Sequence, residues 1–372
     1  KIMILFFNIM FFFLTLIIFL SFIFDKLFKR KRGFKYKFKK KFPLKKSHFD
    51  FHHNLIFTLK KNYKLPVNNH SSYYPLHGHM SSPNLQTNNL GYFNGINGGK
   101  TININKNQNL LRINCMGDST MANYISDKND NYFSIPLQIE KNLSKENVKK
   151  KIEVNNFGQG QYGFQEIIYK LIFENIYTKP DIIVLYLGYN DIPAYLTGDF
   201  NTDYSNYKKN FFEGKNDFFI SNFLYDFKIN FLNYFLNRFT SYNIRSSIKN
   251  YISKGQIDIN KDYTKGLASF KKNYEIFSSI CASQGIKLIA CTFCHYTYYQ
   301  VQNNPTIKKY DDIINDQNKI IKEICAEKNI NYIDMANIIP KEKIYFLDNI
   351  HFSENGIKLF ASELSKKILK IK

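Results

Sequence analysis

The sequence predicts a three-layer α/β/α domain on a parallel sheet, and two observations predict it. From Leu111 onward short apolar runs alternate with stretches of helical spacing, and the runs are almost continuously apolar rather than alternating. Strands that show both faces as apolar are covered on both faces, which is the environment of parallel strands joined by crossover helices.

Five strands are expected, at residues 111–116, 152–156, 181–187, 286–293 and 330–335. Between them, 133–143, 165–178, 267–283 and 311–328 carry apolar residues at helical intervals. A final helix follows Ser353, with Ile357, Phe360, Ala361, Leu364 and Ile368 on one face. The domain therefore occupies 110–372. An insertion at about 193–262 interrupts it, where Phe219, Phe223, Phe227, Phe231, Phe235 and Phe239 recur every four residues beside Leu224, Leu232 and Leu236. That stripe makes one face of an amphipathic helix, open to three uses: packing on the domain, covering a substrate, or lying on a membrane.

Residues 1–25 are expected to be a transmembrane anchor. The run 2–24 is relieved only by Asn8, Thr15 and Ser21, and as a helix it spans roughly 35 Å. No small-residue cleavage site follows it, so it reads as uncleaved. Residues 26–46 then hold twelve Lys/Arg and no acid, more than half of the +22 net charge of this 372-residue chain. Such a flank stops transfer and docks on anionic lipid, and the Lys/Arg count favours the cytoplasmic side for the body. With the charge concentrated there, no nucleic-acid partner is indicated. A hydrophobic fraction of 44% with 22% charged residues excludes wholesale disorder and a polytopic membrane protein. Residues 47–109, rich in Asn, Ser, His, Gly and Pro, read as an extended arm or linker, and the pair His52-His53 within it as solvated.

In a parallel sheet the chemistry sits in loops at the carboxyl ends of the strands. After strand one comes Gly117-Asp118-Ser119-Thr120, a serine on a strand-to-helix turn, near backbone N–H groups able to hold an oxyanion. After strand three comes Gly188-Tyr189-Asn190-Asp191, whose Asn190 amide can donate to a developing negative charge. Ahead of the last helix, Asp348 precedes His351 by three residues, a spacing at which a carboxylate can orient an imidazole as general base. Taken singly, each is an ordinary turn or cap; the sheet brings all three to one edge.

The order Gly-Asp-Ser, Gly-x-Asn-Asp, Asp-x-x-His resembles the signature blocks of the SGNH (GDSL-like) hydrolase superfamily, over about 111–371. The resemblance implies a flavodoxin-like fold and a serine ester hydrolase: Ser119 the nucleophile, His351 the base and later acid, Asp348 its orienting partner. It implies an oxyanion hole from the Ser119 N–H, the Asn190 side chain and an N–H of the loop after strand two. In that loop, Asn156-Phe157-Gly158-Gln159-Gly160-Gln161-Tyr162-Gly163, Gly160 is the chosen donor, although counting from Asn156 puts Gln161 at the family's glycine position. Thr120 replaces the family's usual leucine. The implied substrate is an O-acylated carbohydrate or a lipid ester, and no metal or organic cofactor is implied. Similar domains also pass acyl groups to sugar hydroxyls, which leaves an O-acyltransferase as the alternative.

Two readings come from other classes. Cys291-Thr292-Phe293-Cys294-His295 matches the attachment pattern of c-type haem, but it ends an apolar strand, where small buried cysteines are expected. Cys115, Cys281 and Cys325 complete an odd set without the spacing of a disulfide framework. An inactive tethered binding module would keep the fold without the chemistry.

Overall fold

The structure, a computed structural model, describes Phe12 and residues 49–52, 54–64, 85–126, 132–146, 149–204, 206, 257–297 and 304–371. The expected membrane anchor (apart from Phe12), the basic flank and the aromatic stripe lie outside the described residues. Among the described residues, no helix is long and apolar enough to cross a membrane. The chain divides into a unit of residues 1–43 with 197–257 and a unit of 44–196 with 258–372. In the first, the Asn206 side chain donates to the Thr197 carbonyl at 2.6 Å. The second carries the sheet.

Its N-terminal piece is a hairpin of β1 (Phe49–His52) and β2 (Ile56–Leu59). His52 closes the turn, Nδ1 accepting from the N–H groups of Asn54 and Leu55 at 3.2 Å, and its ring meets that of Tyr169. It is thus a half-exposed turn residue, and His53 lies outside the described residues.

The main sheet contains β3 (Leu110–Gly117), β6 (Lys151–Gly158), β7 (Ile182–Tyr186), β8 (Lys287–Cys291) and β9 (Asn331–Ile333). A short antiparallel pair, β4 (Ile125–Ser126) and β5 (Tyr132–Phe133), lies outside it. All pairings in the main sheet are parallel, in the order β6-β3-β7-β8-β9, which is the flavodoxin-like order. All five strands fall within the expected segments, give or take two residues.

Helix α1 (Ser119–Ala122) is a single turn directly after β3. Helix α2 (Ile135–Leu143) starts where the Ser134 hydroxyl accepts from Leu137 N–H, with Pro136 in its first turn. It packs against α8 (Glu354–Ile371), which buries Ile357, Phe360, Ala361, Leu364 and Ile368, the expected stripe. On the other face α5 (Thr264–Ser283) packs against α3 (Phe164–Lys170) and α6 (Pro305–Glu327). There Phe164 is enclosed by Phe270, Tyr274 and Phe277 at ring distances of 5.4 to 6.1 Å. Two further short helices, α4 (Ile192–Tyr195) and α7 (Met335–Ile338), follow β7 and β9.

Two segments differ from expectation. The helix expected at 165–178 is α-helical only to Lys170; it widens into a π turn over Leu171–Asn175 and tightens into a 3-10 turn over Ile176–Thr178. Asn175 and Thr178 are drawn inward by the Asn114 amide, which donates to Asn175 Oδ1 at 3.1 Å and to Thr178 Oγ1 at 2.8 Å. The second is the arm. Leu85, Tyr92, Phe93 and Ile102 are buried, and Leu59, Leu85, Phe93, Tyr124, Tyr132 and Leu137 form one apolar cluster. Asn94 lies on the edge strand, its Oδ1 accepting from Asn156 N–H at 3.0 Å and its Nδ2 donating to Asn155 Oδ1 at 3.0 Å. The segment therefore covers an edge that would otherwise offer unpaired backbone groups.

Candidate active site

β3 and β7 are neighbours whose connections leave toward opposite sides, so the crevice of the sheet opens between their carboxyl ends. Gly117 ends β3 opposite Gly158 on one side and Tyr186 on the other. A Cβ at Gly117 would collide with the Tyr186 carbonyl, and one at Gly158 with the Ala122 backbone nitrogen. The two glycines let α1 settle directly on the strand ends. Asp118 caps that turn, its Oδ1 accepting from the Thr120 N–H at 2.9 Å and the Thr120 hydroxyl at 2.6 Å. Thr120 is thus a second anchor for the cap. Burial raises the Asp118 carboxyl, with Thr120, His351 and the Gly188 N–H pulling the other way. Ser119 is the first residue of α1, a position whose N–H has no intrahelical acceptor.

Asp348 and His351 lie on a loop closed by a bridge between Phe346 and Phe352 and by Leu347 N–H donating to His351 O at 2.7 Å. Asp348 Oδ1 accepts from the N–H groups of Ile350 and His351 at 2.9 and 2.7 Å. Its Oδ2 meets His351 Nδ1 at 2.7 Å, and His351 Nε2 meets Ser119 Oγ at 3.0 Å. Phe352 anchors the loop, its ring stacked on Tyr186 and tilted against Phe346 and Phe360, and its carbonyl accepts from the Asn123 amide, just beyond α1, at 3.0 Å.

Burial alone would raise the Asp348 carboxyl. The His351 ring and the two backbone N–H groups outweigh it and hold the value at about 2. Asp348 is therefore an ionised acceptor across the neutral range. That fixes the His351 tautomer: Nδ1 carries the hydrogen and Nε2 presents a lone pair to the Ser119 hydroxyl. Ser119 and His351 are each only 7% exposed, which strengthens the polar interactions between them.

Asn190 sits in the 3-10 turn Tyr189–Asp191 after β7. Its amide donates to the Tyr162 carbonyl at 3.2 Å, which leaves its second N–H for another acceptor. Asp191 next to it is buried and accepts from Phe164 N–H at 2.8 Å, capping α3. Gly163 N–H donates to Glu166 at 2.9 Å. The loop after β6 is thus fastened to the Asn190 turn at two points. Within it Gly160 is buried, but the left-handed residue is Gln161, at φ 58°. Of the expected residues, the structure joins Ser119, His351 and Asp348 in one hydrogen-bonded chain and places Asn190 and Gly160 at the two neighbouring strand ends. Asp118 and Asp191 are roles the motif spacing did not supply; each was legible only as a cap residue just ahead of a turn.

Cys115, Cys281, Cys291, Cys294 and Cys325 are all buried free thiols. Cys291 is the last residue of β8, and Cys294 N–H donates to the Tyr186 hydroxyl at 3.1 Å beneath the site. The Cys-x-x-Cys-His pattern is thus part of the core, without the exposed thiol pair that haem attachment requires. Among the described residues, no group of three or more His, Cys, Asp or Glu is placed to hold a metal ion.

No protein-family model and no curated protein matches the sequence. Among solved structures the chain is similar to a lipase/acylhydrolase from Enterococcus faecalis at 17% identity, over 69% of this chain and 94% of that one, with a TM-score of 0.41. A GDSL-like lipase from Bacteroides thetaiotaomicron is similar at 13% identity, over 70% and 89%, TM-score 0.40. An acetylxylan esterase from Geobacillus stearothermophilus is similar at 12% identity, over 69% and 93%, TM-score 0.42.

Proposed function

We propose that this chain is a serine ester hydrolase working through an acyl-enzyme, with Ser119 as nucleophile, His351 as general base and acid, and Asp348 as the group that orients His351. The observation that carries the reading is the unbroken chain Asp348–His351–Ser119, at 2.7 and 3.0 Å, at the crevice of a parallel sheet. Ser119 Oγ attacks the ester carbonyl carbon as His351 Nε2 takes its proton. The carbonyl oxygen becomes an oxyanion facing the Ser119 N–H, the Asn190 amide and an N–H of the 159–163 loop. Collapse breaks the bond to the alcohol oxygen, which leaves with the proton from His351. Water then attacks the acyl-Ser119 ester, His351 taking its proton and returning it to Ser119. The acid is released and the enzyme restored.

The substrate we infer is an O-acylated carbohydrate or a lipid ester, met at a membrane surface. What supports that location is the apolar run at residues 2–24 with its twelve-cation flank.

The deciding experiment is labelling by a serine-directed fluorophosphonate, with Ser119→Ala and His351→Ala as controls, beside p-nitrophenyl esters of rising chain length and an acetylated oligosaccharide. Labelling of the wild type and its loss in Ser119→Ala are the expected results. A folded wild type that neither labels nor turns over any ester overturns the reading. Protease accessibility of the body in intact cells, with its release by truncation after residue 46, tests the tether.

A further inference from the structure

A second histidine–carboxylate pair lies at the same edge of the sheet and takes no part in the acyl transfer described above. His295 Nε2 stands 3.2 Å from Asp311 Oδ1, and the Thr297 hydroxyl donates to Asp311 Oδ2 at 2.6 Å. One carboxylate near the start of α6 therefore grips both ends of the three-residue segment 295–297. The residue between them faces the triad loop. Tyr296 N–H donates to the Asn349 carbonyl at 2.7 Å, and its ring stacks on Phe346 at 5.6 Å and 20°. Asn349 follows Asp348 in the chain, and Phe346 is one end of the bridge that closes the loop. The same carboxylate borders the other half of the site. Tyr310, next to Asp311, meets the ring of Tyr189, next to Asn190, at 5.3 Å.

His295 is not explained by packing alone. It is 93% buried, and its Nδ1 has no hydrogen-bond partner among the described residues. An apolar side chain of that volume would avoid this cost. What an apolar residue would not supply is the polar contact of Nε2 with Asp311, 3.2 Å away. We propose that the Asp311–His295 contact and the Asp311–Thr297 hydrogen bond hold Tyr296 against the triad loop, so that His295 is a positioning residue for Asp348. This rests on the reading of Ser119, His351 and Asp348 as the hydrolytic triad. The effect belongs to turnover rather than to substrate binding, because Asp348 stabilises the imidazolium that forms only as the reaction proceeds.

The test uses the full chain in detergent, with each variant's active sites counted by fluorophosphonate titration and p-nitrophenyl acetate as substrate. His295→Ala and Asp311→Asn should lower kcat per titrated site on the order of 10- to 100-fold, the scale of a misplacement near 1 Å, with KM within about twofold of wild type. His295→Gln, which offers an amide N–H at similar reach, should recover most of the loss. Full kcat per site in His295→Ala overturns the proposal, as does an equal loss in His295→Gln or a loss expressed in KM. Should His295→Ala not fold, Asp311→Asn decides by the same criterion. Failure of the wild type to label at Ser119 would instead remove the triad reading, so the two failures remain distinct.

Discussion

The two sides of the proposed active site are built differently. On the base side, Asp348 and His351 are fixed by backbone: a bridge, three N–H bonds inside a seven-residue loop, and an aromatic stack beneath. On the oxyanion side, Asn190 is half-buried, its amide joined to the Tyr162 carbonyl at 3.2 Å, and the opposing loop turns through an exposed Gln161 with a left-handed backbone. The group that must choose one tautomer is held rigidly. The groups proposed to meet the substrate's own oxygen are fastened one step removed, through the Asp191 and Glu166 caps.

Removing the nucleophile breaks the comparison outright: Ser119→Ala should abolish fluorophosphonate labelling and reduce kcat by at least about 10⁴-fold in ester hydrolysis. Asp348→Asn keeps the shape but lets His351 adopt the wrong tautomer, and a fall in kcat of about 10⁴-fold is expected from the same assay. Asn190→Ala should cost on the order of 10²- to 10³-fold in kcat, the loss of one oxyanion donor. A loss as large as that of Asp348→Asn would show that both sides are equally dependent on single groups.

A pH profile sharpens the contrast. Asp348 sits at about 2 in the folded protein, below the ordinary carboxylate value. Its contribution to stability is therefore complete above the unfolded value, about pH 4, and is lost as pH falls through about 2. In kcat/KM, an acid limb centred near pH 4 and absent in Asp348→Asn would contradict this ionisation state. The smallest effect belongs to Gln161→Gly, which relieves a left-handed non-glycine residue; thermal unfolding should show a gain of no more than about 1 kcal/mol.

The sheet was legible because its strands are apolar on both faces, and Ser119, Asn190, Asp348 and His351 because each stands at a strand end or just before a helix. What stayed hidden was long-range polar bonding. Helical spacing continued past Lys170, yet the amide of Asn114, more than fifty residues earlier, widens that helix at Asn175. The segment around Asn94 has no periodicity to announce burial, since its apolar side chains pack from turns and its amide addresses the edge strand. In the loop after β6, where Gly160 was the chosen donor, the left-handed turn falls on the neighbouring Gln161, a handedness that residue type does not announce.

The asparagines that obscured those segments have a consequence for the sheet as a whole. Asn94, Asn155, Asn114 and Asn175 form a file in which each side-chain amide passes a hydrogen bond to the next, across the paired strands β6 and β3. Apolar contacts alone would tolerate a slipped pairing; a buried amide left without its partner does not. The file works as a key cut into the pairing of β3 with β6. By setting which residue of one strand faces which of the other, it also sets the level at which Gly117 and Gly158 end side by side, and so the height at which Ser119 stands.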